Sequence, residues 1–159
     1  MKKGLRGILL TILLALTVTI SGCFAKTYSY GEMHIEMPMG YREFSYENFD
    51  YCITNNRAAM IVYNESFEED FNSDTVTKVE YLKLVQLMEG TDYDIQESEN
   101  GKYAYYTYTA DVDGTEFYYM VTVHASDNAF WIIQFYCFEN LSNKYHDKFI
   151  SWANTVVFE

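Results

Sequence analysis

Hydrophobic and polar residues alternate with a period of two along several segments, and this pattern is typical of β-strands. The first is MHIEMP at residues 33–38, which ends at Pro38 and is followed by a turn at Gly40. YREF and DYCIT are further short candidates, and AAMIVYNE at residues 58–65 is a longer one. The beginning of the domain is therefore predicted to consist of short strands.

Two later segments change to the period of a helix. In TVTKVEYLKLVQLMEG, residues 75–90, apolar residues recur every three or four positions and form one broad face. Ser73 or Asp74 is the expected N-cap, and Gly90 suits the C-terminal end. The second helix is predicted within residues 140–154, with Asn140 or Ser142 as its N-cap, and residues 155–158 are expected to be extended.

Four strands are predicted between the two helices, and they form an antiparallel meander. Asn100-Gly101 and Asp113-Gly114 favour tight hairpin turns, because such turns need residues with positive φ. Several of these strands, such as AFWIIQFYCFE at residues 129–139, are apolar on both sides. A sheet of this kind must be covered on both faces. The predicted fold is therefore α+β, with an antiparallel β-sheet covered by helices on both faces as an α/β/α sandwich.

The first 22 residues follow a different pattern. A basic start is followed by an apolar run at residues 8–20, which is shorter than the ~20 residues of a membrane-spanning helix. The run ends in ISGC, residues 20–23, which resembles the lipobox of bacterial lipoproteins. The resemblance implies removal of residues 1–22 and lipidation of Cys23, with the protein anchored at the extracytoplasmic face of the cell membrane. An ordinary signal peptide cut near Ala25 and a retained membrane anchor are the alternatives.

This interpretation divides the chain into a signal peptide at residues 1–22, a short tether at 23–31 and a single domain at 32–159. Residues 1–22 carry three basic residues and no acidic one, so the rest has eight basic and 23 acidic residues and a net charge of −15. Such a charge disfavours nucleic acid as a partner and favours a basic one. Acidic residues that could contact a partner are Glu68, Glu69 and Asp70, although the charge could equally serve solubility.

The domain also resembles the PsbP-like family at the level of its pattern. The strand-Pro-x-Gly start in MHIEMPMGY is followed, in matching order, by VEYLKLVQLM, FWIIQFYCFE and FISWANTVVF, over roughly residues 30 to 158. Members of that family often end with a helix and a short strand. They are mostly non-catalytic binding or assembly modules, and they include small bacterial lipoproteins. The resemblance thus implies a binding module rather than an enzyme.

The sequence gives no support for catalysis, a cofactor or a metal site. It contains no nucleophile elbow, Walker loop or dinucleotide-binding glycine motif, so no catalytic residue and no cofactor are predicted. His34, His124 and His146 lack the spacing of zinc ligands. The segment at residues 70–74 has alternating oxygen ligands, but it lacks the glycine and glutamate that a calcium loop requires.

Two further features leave alternatives open. Cys52 and Cys137 lie in apolar strand-like runs, and they could form a disulfide or remain two buried free thiols. Tyrosines are numerous, and they either lie under the helices or form an exposed row that binds glycans or peptides. In the second case, an uncovered groove would be the site to suspect. The tyrosines of the meander are Tyr103, Tyr105, Tyr106, Tyr108, Tyr118, Tyr119 and Tyr136.

Three functions are compatible with these features. The first is a membrane-tethered, non-catalytic lipoprotein that binds an envelope protein or ligand. The second is an acidic inhibitor or immunity-type protein that blocks a basic extracytoplasmic enzyme. The third is a metal-binding or enzymatic domain whose residues converge only on folding.

Overall fold

The computed structural model describes residues 25–45, 49–69 and 71–159, which form two antiparallel β-sheets and two α-helices. The predicted order of short strands, helix, meander and helix is confirmed. The helices are α1, Lys78–Glu89, and α2, Ser142–Asn154, and a 3-10 turn at Glu139–Leu141 precedes α2. The strands are β1 Ala25–Tyr30, β2 Met33–Pro38, β3 Arg42–Phe44, β4 Tyr51–Thr54, β5 Ala58–Ser66, β6 Gln96–Glu97, β7 Tyr103–Val112, β8 Thr115–Ala125, β9 Ala129–Phe138 and β10 Val157–Phe158.

The larger sheet has seven strands in the spatial order β3-β4-β5-β9-β8-β7-β6. The long meander strands β9, β8 and β7 are neighbours in this sheet. β7 pairs with β8 over ten residues, and β8 pairs with β9 over nine. The predicted hairpin turn between β7 and β8 is confirmed, with positive φ angles of 54° at Asp113 and 81° at Gly114. The segment YDIQES, in contrast, contributes only the two-residue strand β6.

A second sheet, in the order β1-β2-β10, was not predicted. Its strand β1 corrects the interpretation of residues 23–31 as a tether, because Ala25–Tyr30 pairs along its whole length with β2. The side chain of Tyr28 is only 1% exposed, and its hydroxyl donates to the carbonyl of Tyr41 at 3.1 Å. Tyr28 is the one fully buried residue of this strand, so residues 25–30 lack the alternation of apolar and polar residues that predicts a strand.

Two hydrophobic clusters use alternate residues of the same strands. Met120 of β8 belongs to one cluster, and its neighbour Val121 belongs to the other. The larger cluster joins α2 to both sheets, and includes Tyr28, Met33, Ile35, Met60, Ile133, Phe135, Phe149 and Trp152. The smaller one joins α1 to the meander, and consists of Tyr81, Leu82, Ala104, Tyr106, Val121, Val123 and Phe130. Residues 120–124 of β8 are buried on both sides, whereas Ile132 and Tyr136 of β9 are only partly buried and Phe138 is exposed, so the expectation of strands buried on both sides is confirmed only in part.

The helix ends differ in part from the predicted ones. The N-cap of α1 is Thr77 instead of Ser73 or Asp74, and it forms a capping box with Glu80. The backbone N–H of Thr77 donates to the Glu80 carboxylate, and the Thr77 hydroxyl accepts from the Glu80 N–H. Ser73 and Asp74, in contrast, belong to a turn. Gly90 ends the helix with a φ of 70°, as predicted. Helix α2 has no side-chain cap, because the 3-10 turn precedes it.

Candidate functional site: an apolar groove beside helix α1

An apolar groove of about 720 Å³ lies between α1 and the part of the large sheet that this helix leaves open. We refer to it as the α1 groove. The helix forms one wall, and side chains of β5, β7, β8 and β9 form the floor. The groove is lined by Tyr63, Asn64, Glu65, Phe71, Tyr81, Leu84, Val85, Leu87, Met88, Glu89, Tyr106, Tyr108, Val121, Ile132 and Gln134.

The C-terminal half of α1 presents apolar side chains to solvent at the edge of this groove. Leu87 is 76% exposed and Met88 is 87% exposed, and Leu84 is also exposed. The predicted broad apolar face of the helix is therefore buried only in part, mainly through Tyr81 and Leu82. Clustered apolar side chains beside a concave surface are a common property of binding sites.

Gln86 fixes the segment that follows α1 against the groove. This side chain is buried, and it donates to the carbonyl of Tyr93 at 3.1 Å and accepts from the Tyr93 N–H at 3.2 Å. The ring of Tyr93 consequently stacks on Tyr106 and Tyr108, with centroid distances of 5.4 and 4.9 Å. Sequence reasoning missed Gln86, although a glutamine within an apolar helical stretch is a signal of a buried polar contact.

Tyrosines extend the floor of the groove across the sheet. Tyr108, Tyr119 and Tyr136 are direct cross-strand neighbours on β7, β8 and β9. The first two rings stack at 4.7 Å, and the next centroid distance is 5.7 Å. All three are half-buried, whereas Tyr103 and Tyr106 are fully buried. The meander therefore has both buried and partly exposed tyrosines, and ligand binding by the partly exposed row stays a prediction.

Two carboxylates in the lining connect α1 to the sheet. The hydroxyl of Tyr81 on α1 donates to Glu65 on β5, and the hydroxyl of Tyr106 on β7 donates to Glu89 on α1 at 3.4 Å. Burial, followed by the nearby carboxylate, raises the pKa of both tyrosine hydroxyls, which therefore remain donors at neutral pH. No basic residue is found in the described lining, so the groove is apolar with negative charge on its wall.

The predicted acidic contact residues lie in the loop after β5. Glu68 and Glu69 are exposed, and Asp70 lies outside the described residues. Phe67 and Phe71 flank this loop and hold it against Phe130, with ring centroids 5.0 and 5.9 Å apart. Because Phe71 also lines the α1 groove, the acidic loop and the groove are adjacent. The predicted acidic surface and the suspected groove are thus brought together.

The structure has Cys52 and Cys137 as free, buried thiols, so the alternative of a disulfide is not realised. Cys52 on β4 pairs with Ile61 on β5, which in turn pairs with Gln134 on β9. Cys137 pairs with Ala58 on β5 and lies three residues from Gln134 along β9. An odd separation along a strand places side chains on opposite faces, and the intervening β5 separates the two backbones. Burial raises the pKa of both thiols, for Cys137 to about 11. Cys23 lies outside the described residues.

The remaining candidates for chemistry do not converge. Among residues 25–45, 49–69 and 71–159, no group of three or more His, Cys, Asp or Glu side chains is arranged to hold a metal ion. His34 contacts the Ser29 hydroxyl at 2.7 Å, and His146 contacts the Tyr118 hydroxyl at 2.7 Å. His124 is buried on β8. Within the same ranges, neither helix has the length and apolar composition needed to cross a bilayer.

Comparison with known proteins identifies the fold and nothing finer. No protein-family model matches the chain, and no curated protein matches it in sequence. The solution structure of the cyanobacterial PsbP protein CyanoP from Synechocystis sp. PCC 6803 superposes with a TM-score of 0.52 and 10% identity, over 89% of this chain and 96% of that one. The fold is PsbP-like.

A crystal structure of a protein from Bacteroides thetaiotaomicron is also similar, with a TM-score of 0.61 and 12% identity. The similarity covers 84% of this chain but only 48% of that protein, so the chain corresponds to about half of it. Both identities are too low to transfer an activity, because one fold supports many functions. The PsbP-like fold predicted from the sequence pattern is therefore supported at the level of architecture.

Proposed function

We propose that this protein is a lipid-anchored, non-catalytic binding module at the extracytoplasmic face of a bacterial cell membrane. The ISGC sequence at residues 20–23 supports the anchor, because its cysteine follows two small residues and an apolar run with a basic start. Acyl chains on Cys23 would hold the domain at the membrane. The observation that carries the binding function is the open α1 groove with the exposed side chains of Leu87 and Met88.

The groove follows from how the sheet is covered. We infer an α/β/α arrangement in which α1 covers one face of the large sheet, and α2 with the small sheet covers the other. The alternation of the two hydrophobic clusters along β8 supports this arrangement. Helix α1 has 12 residues and is therefore about 18 Å long, whereas its face of the sheet extends across seven strands. One short helix leaves part of such a face open.

The chemistry of the groove favours a basic, amphipathic segment of an envelope protein as its partner. Apolar side chains of the partner would pack on Leu84, Leu87 and Ile132, while its basic side chains would meet Glu65 and Glu89. The net charge of −15 without residues 1–22 would attract such a segment over long distances. Aromatic rings in the floor offer contacts to both its apolar and its cationic groups.

A site-specific crosslink tests this function. A photo-crosslinking side chain at position 84, in the full chain in its native membrane, should capture one protein through a segment rich in Lys or Arg. The double variant Leu87→Ser/Met88→Ser should reduce capture at least tenfold without lowering stability, because both side chains are already exposed. Val157→Ser is the matched control, since Val157 is an exposed apolar residue of β10. Equal capture by both variants, or capture through acidic segments only, would contradict the proposal.

A second candidate is an inhibitor that uses the acidic loop rather than the groove. The exposure of Glu68 and Glu69 at the end of the groove favours it. Charge reversal with Glu68→Lys/Glu69→Lys would then abolish capture of a basic enzyme, whereas Leu87→Ser/Met88→Ser would leave it unchanged. The groove function predicts the opposite order of effects, with only a moderate, salt-dependent loss from the charge reversal.

A further inference from the structure

A second cleft, of about 610 Å³, lies where β3 meets the turn between β4 and β5, and its chemistry is the reverse of that of the α1 groove. Two arginines line it, and no acidic residue is found in the described lining. We refer to it as the arginine cleft. It is lined by Gly40, Arg42, Phe44, Thr54, Asn55, Asn56, Arg57 and Tyr145.

The two arginines come from different elements, and their backbones are held in place. Arg42 lies on β3, where it pairs with Thr54 of β4. Arg57 lies in the turn before β5, where the side-chain oxygen of Asn55 accepts hydrogen bonds from the N–H groups of Arg57 at 2.8 Å and Ala58 at 2.9 Å. The Asn55 side chain thus orders the turn through backbone N–H groups, and these bonds do not involve the guanidinium group of Arg57.

Both guanidinium groups lack a partner within the described part of the chain, where neither forms an ion pair or a side-chain hydrogen bond. This is notable in a chain with 23 acidic and 11 basic residues, and these are its only arginines besides Arg6. Guanidinium groups recognise phosphate and carboxylate groups through paired hydrogen bonds. Two arginines that are unpaired among the described residues, in a cleft whose described lining has no carboxylate, have the chemistry to bind an oxyanion.

Two lysines add positive charge to the same end of the domain. The ammonium group of Lys148 lies 5.1 Å from the ring centroid of Tyr145, which lines the cleft. The ammonium group of Lys26 lies 4.4 Å from the ring of Tyr28, whose hydroxyl donates to the carbonyl of Tyr41. These lysines lie near the cleft, and so does the carboxylate of Glu43, whose charge adds to burial in raising the pKa of Tyr28.

The first described residue of the chain lies at this end too. Ala25 pairs with Pro38 at the end of β2, just before Gly40 and Arg42. Cys23 precedes Ala25 by two residues, so a lipid on Cys23 would keep this end of the domain close to the membrane surface. The arginine cleft would then lie close to the lipid headgroups.

We propose that the arginine cleft binds the phosphate group of an anionic phospholipid headgroup. This assignment of the ligand rests on the lipid anchor proposed above, whereas the oxyanion chemistry of the cleft does not. Arg42 and Arg57 donate to the phosphate oxygens, and the ligand orients the anchored domain on the membrane. Local attraction of this kind offsets the long-range repulsion between an acidic domain and an anionic surface.

Inorganic phosphate is the first probe, with the full chain in a neutral detergent and backbone hydrogen exchange as the readout. At equal ionic strength, phosphate should slow exchange in residues 54–58 several-fold more than chloride does. Arg42→Gln and Arg57→Gln should each raise the phosphate concentration that gives half of this protection about tenfold, because each removes charge-assisted hydrogen bonds. Lys83→Gln removes one positive charge from α1 and should leave the protection unchanged. Equal protection in all three variants would overturn the proposal, as would no protection by phosphate.

Lipid nanodiscs then identify the source of the phosphate. Residues 54–58 should be protected in nanodiscs that contain phosphatidylglycerol, more than in discs of phosphatidylcholine alone, and the arginine variants should lose the difference. Protection by inorganic phosphate alone would overturn the headgroup assignment in favour of a soluble phosphate ligand. The variant Leu87→Ser/Met88→Ser should keep both protections, so a failure of the α1 groove would be distinguished from a failure of this site. Unfolding midpoints confirm that each variant is folded.

Discussion

At the scale of single residues, His124 is a buried titratable group without a partner for its Nε2 atom. The side chain is 2% exposed and lies between the rings of Tyr103 and Phe158, at 5.0 and 6.4 Å. Burial, followed by the positive charges of Lys78 and Lys102, lowers the pKa of His124 to about 3. The imidazole is therefore neutral in the folded protein at every pH of ordinary use.

Folding stability should consequently fall as the pH decreases below the pKa of an unfolded histidine, about 6.5. Below that pH, the unfolded chain binds a proton at His124 that the folded chain excludes until pH 3 is approached. We expect a loss of about 2 kcal/mol between pH 7 and pH 5 from this residue. The variant His124→Phe should lack that loss, which urea unfolding at pH 7, 6 and 5 would measure.

The matched control is His34→Gln, because His34 is only partly buried and contacts a surface serine. This variant should retain the steep pH dependence of the natural protein. Carboxyl groups contribute mainly below pH 5 and are common to all variants, so the difference between the two histidine variants isolates His124. An identical slope for His124→Phe and the natural protein would contradict the burial argument.

At the scale of elements, β1 brings residues 25–30 into the folded domain. The strand has one fully buried side chain, Tyr28, which packs in the larger cluster and hydrogen-bonds to Tyr41. We expect Tyr28→Ala to lower the free energy of unfolding by about 3 kcal/mol, the lower end of the range for large aromatic side chains. Urea unfolding at neutral pH measures this change.

Thr27→Ala is the control within the same strand, since Thr27 is exposed and pairs with Glu36 through its backbone. That change should stay within about 0.5 kcal/mol, as is usual for surface substitutions. If Tyr28→Ala were equally mild, residues 25–30 would behave as the tether that the sequence suggested. A large difference between the two variants would establish β1 as part of the cooperative unit.

At the scale of the whole molecule, like charges destabilise the compact state. The chain has a net charge of −12 and a pI of about 4.5. Sodium chloride screens this repulsion, so raising it from about 0.02 to about 0.5 M should raise the thermal midpoint of unfolding. A variant with Glu97→Gln, Glu99→Gln and Glu116→Gln, all exposed positions, should respond less to salt. A midpoint that falls with salt in both proteins would show that repulsion is not the dominant electrostatic effect.

The sequence by itself determined the local structure of this protein, because local structure depends on neighbouring residues. Periods of two and of three to four residues located the long strands and both helices. Asp113-Gly114 and Gly90 marked a hairpin turn and a helix end, since both need positive φ. The family resemblance added an architecture that the CyanoP structure supports.

Only the tertiary structure decided what depends on distant residues. β2 and β10 are adjacent in one sheet although most of the chain separates them, and no local pattern encodes that pairing. The packing of α1 on the meander decides which of its apolar residues are buried, and α1 and the sheet together line the α1 groove. Arg42 and Arg57 lie 15 residues apart in the sequence, and only folding places them in one cleft. Sites formed by residues from several elements require the folded chain, because proximity in space is not a property of sequence spacing.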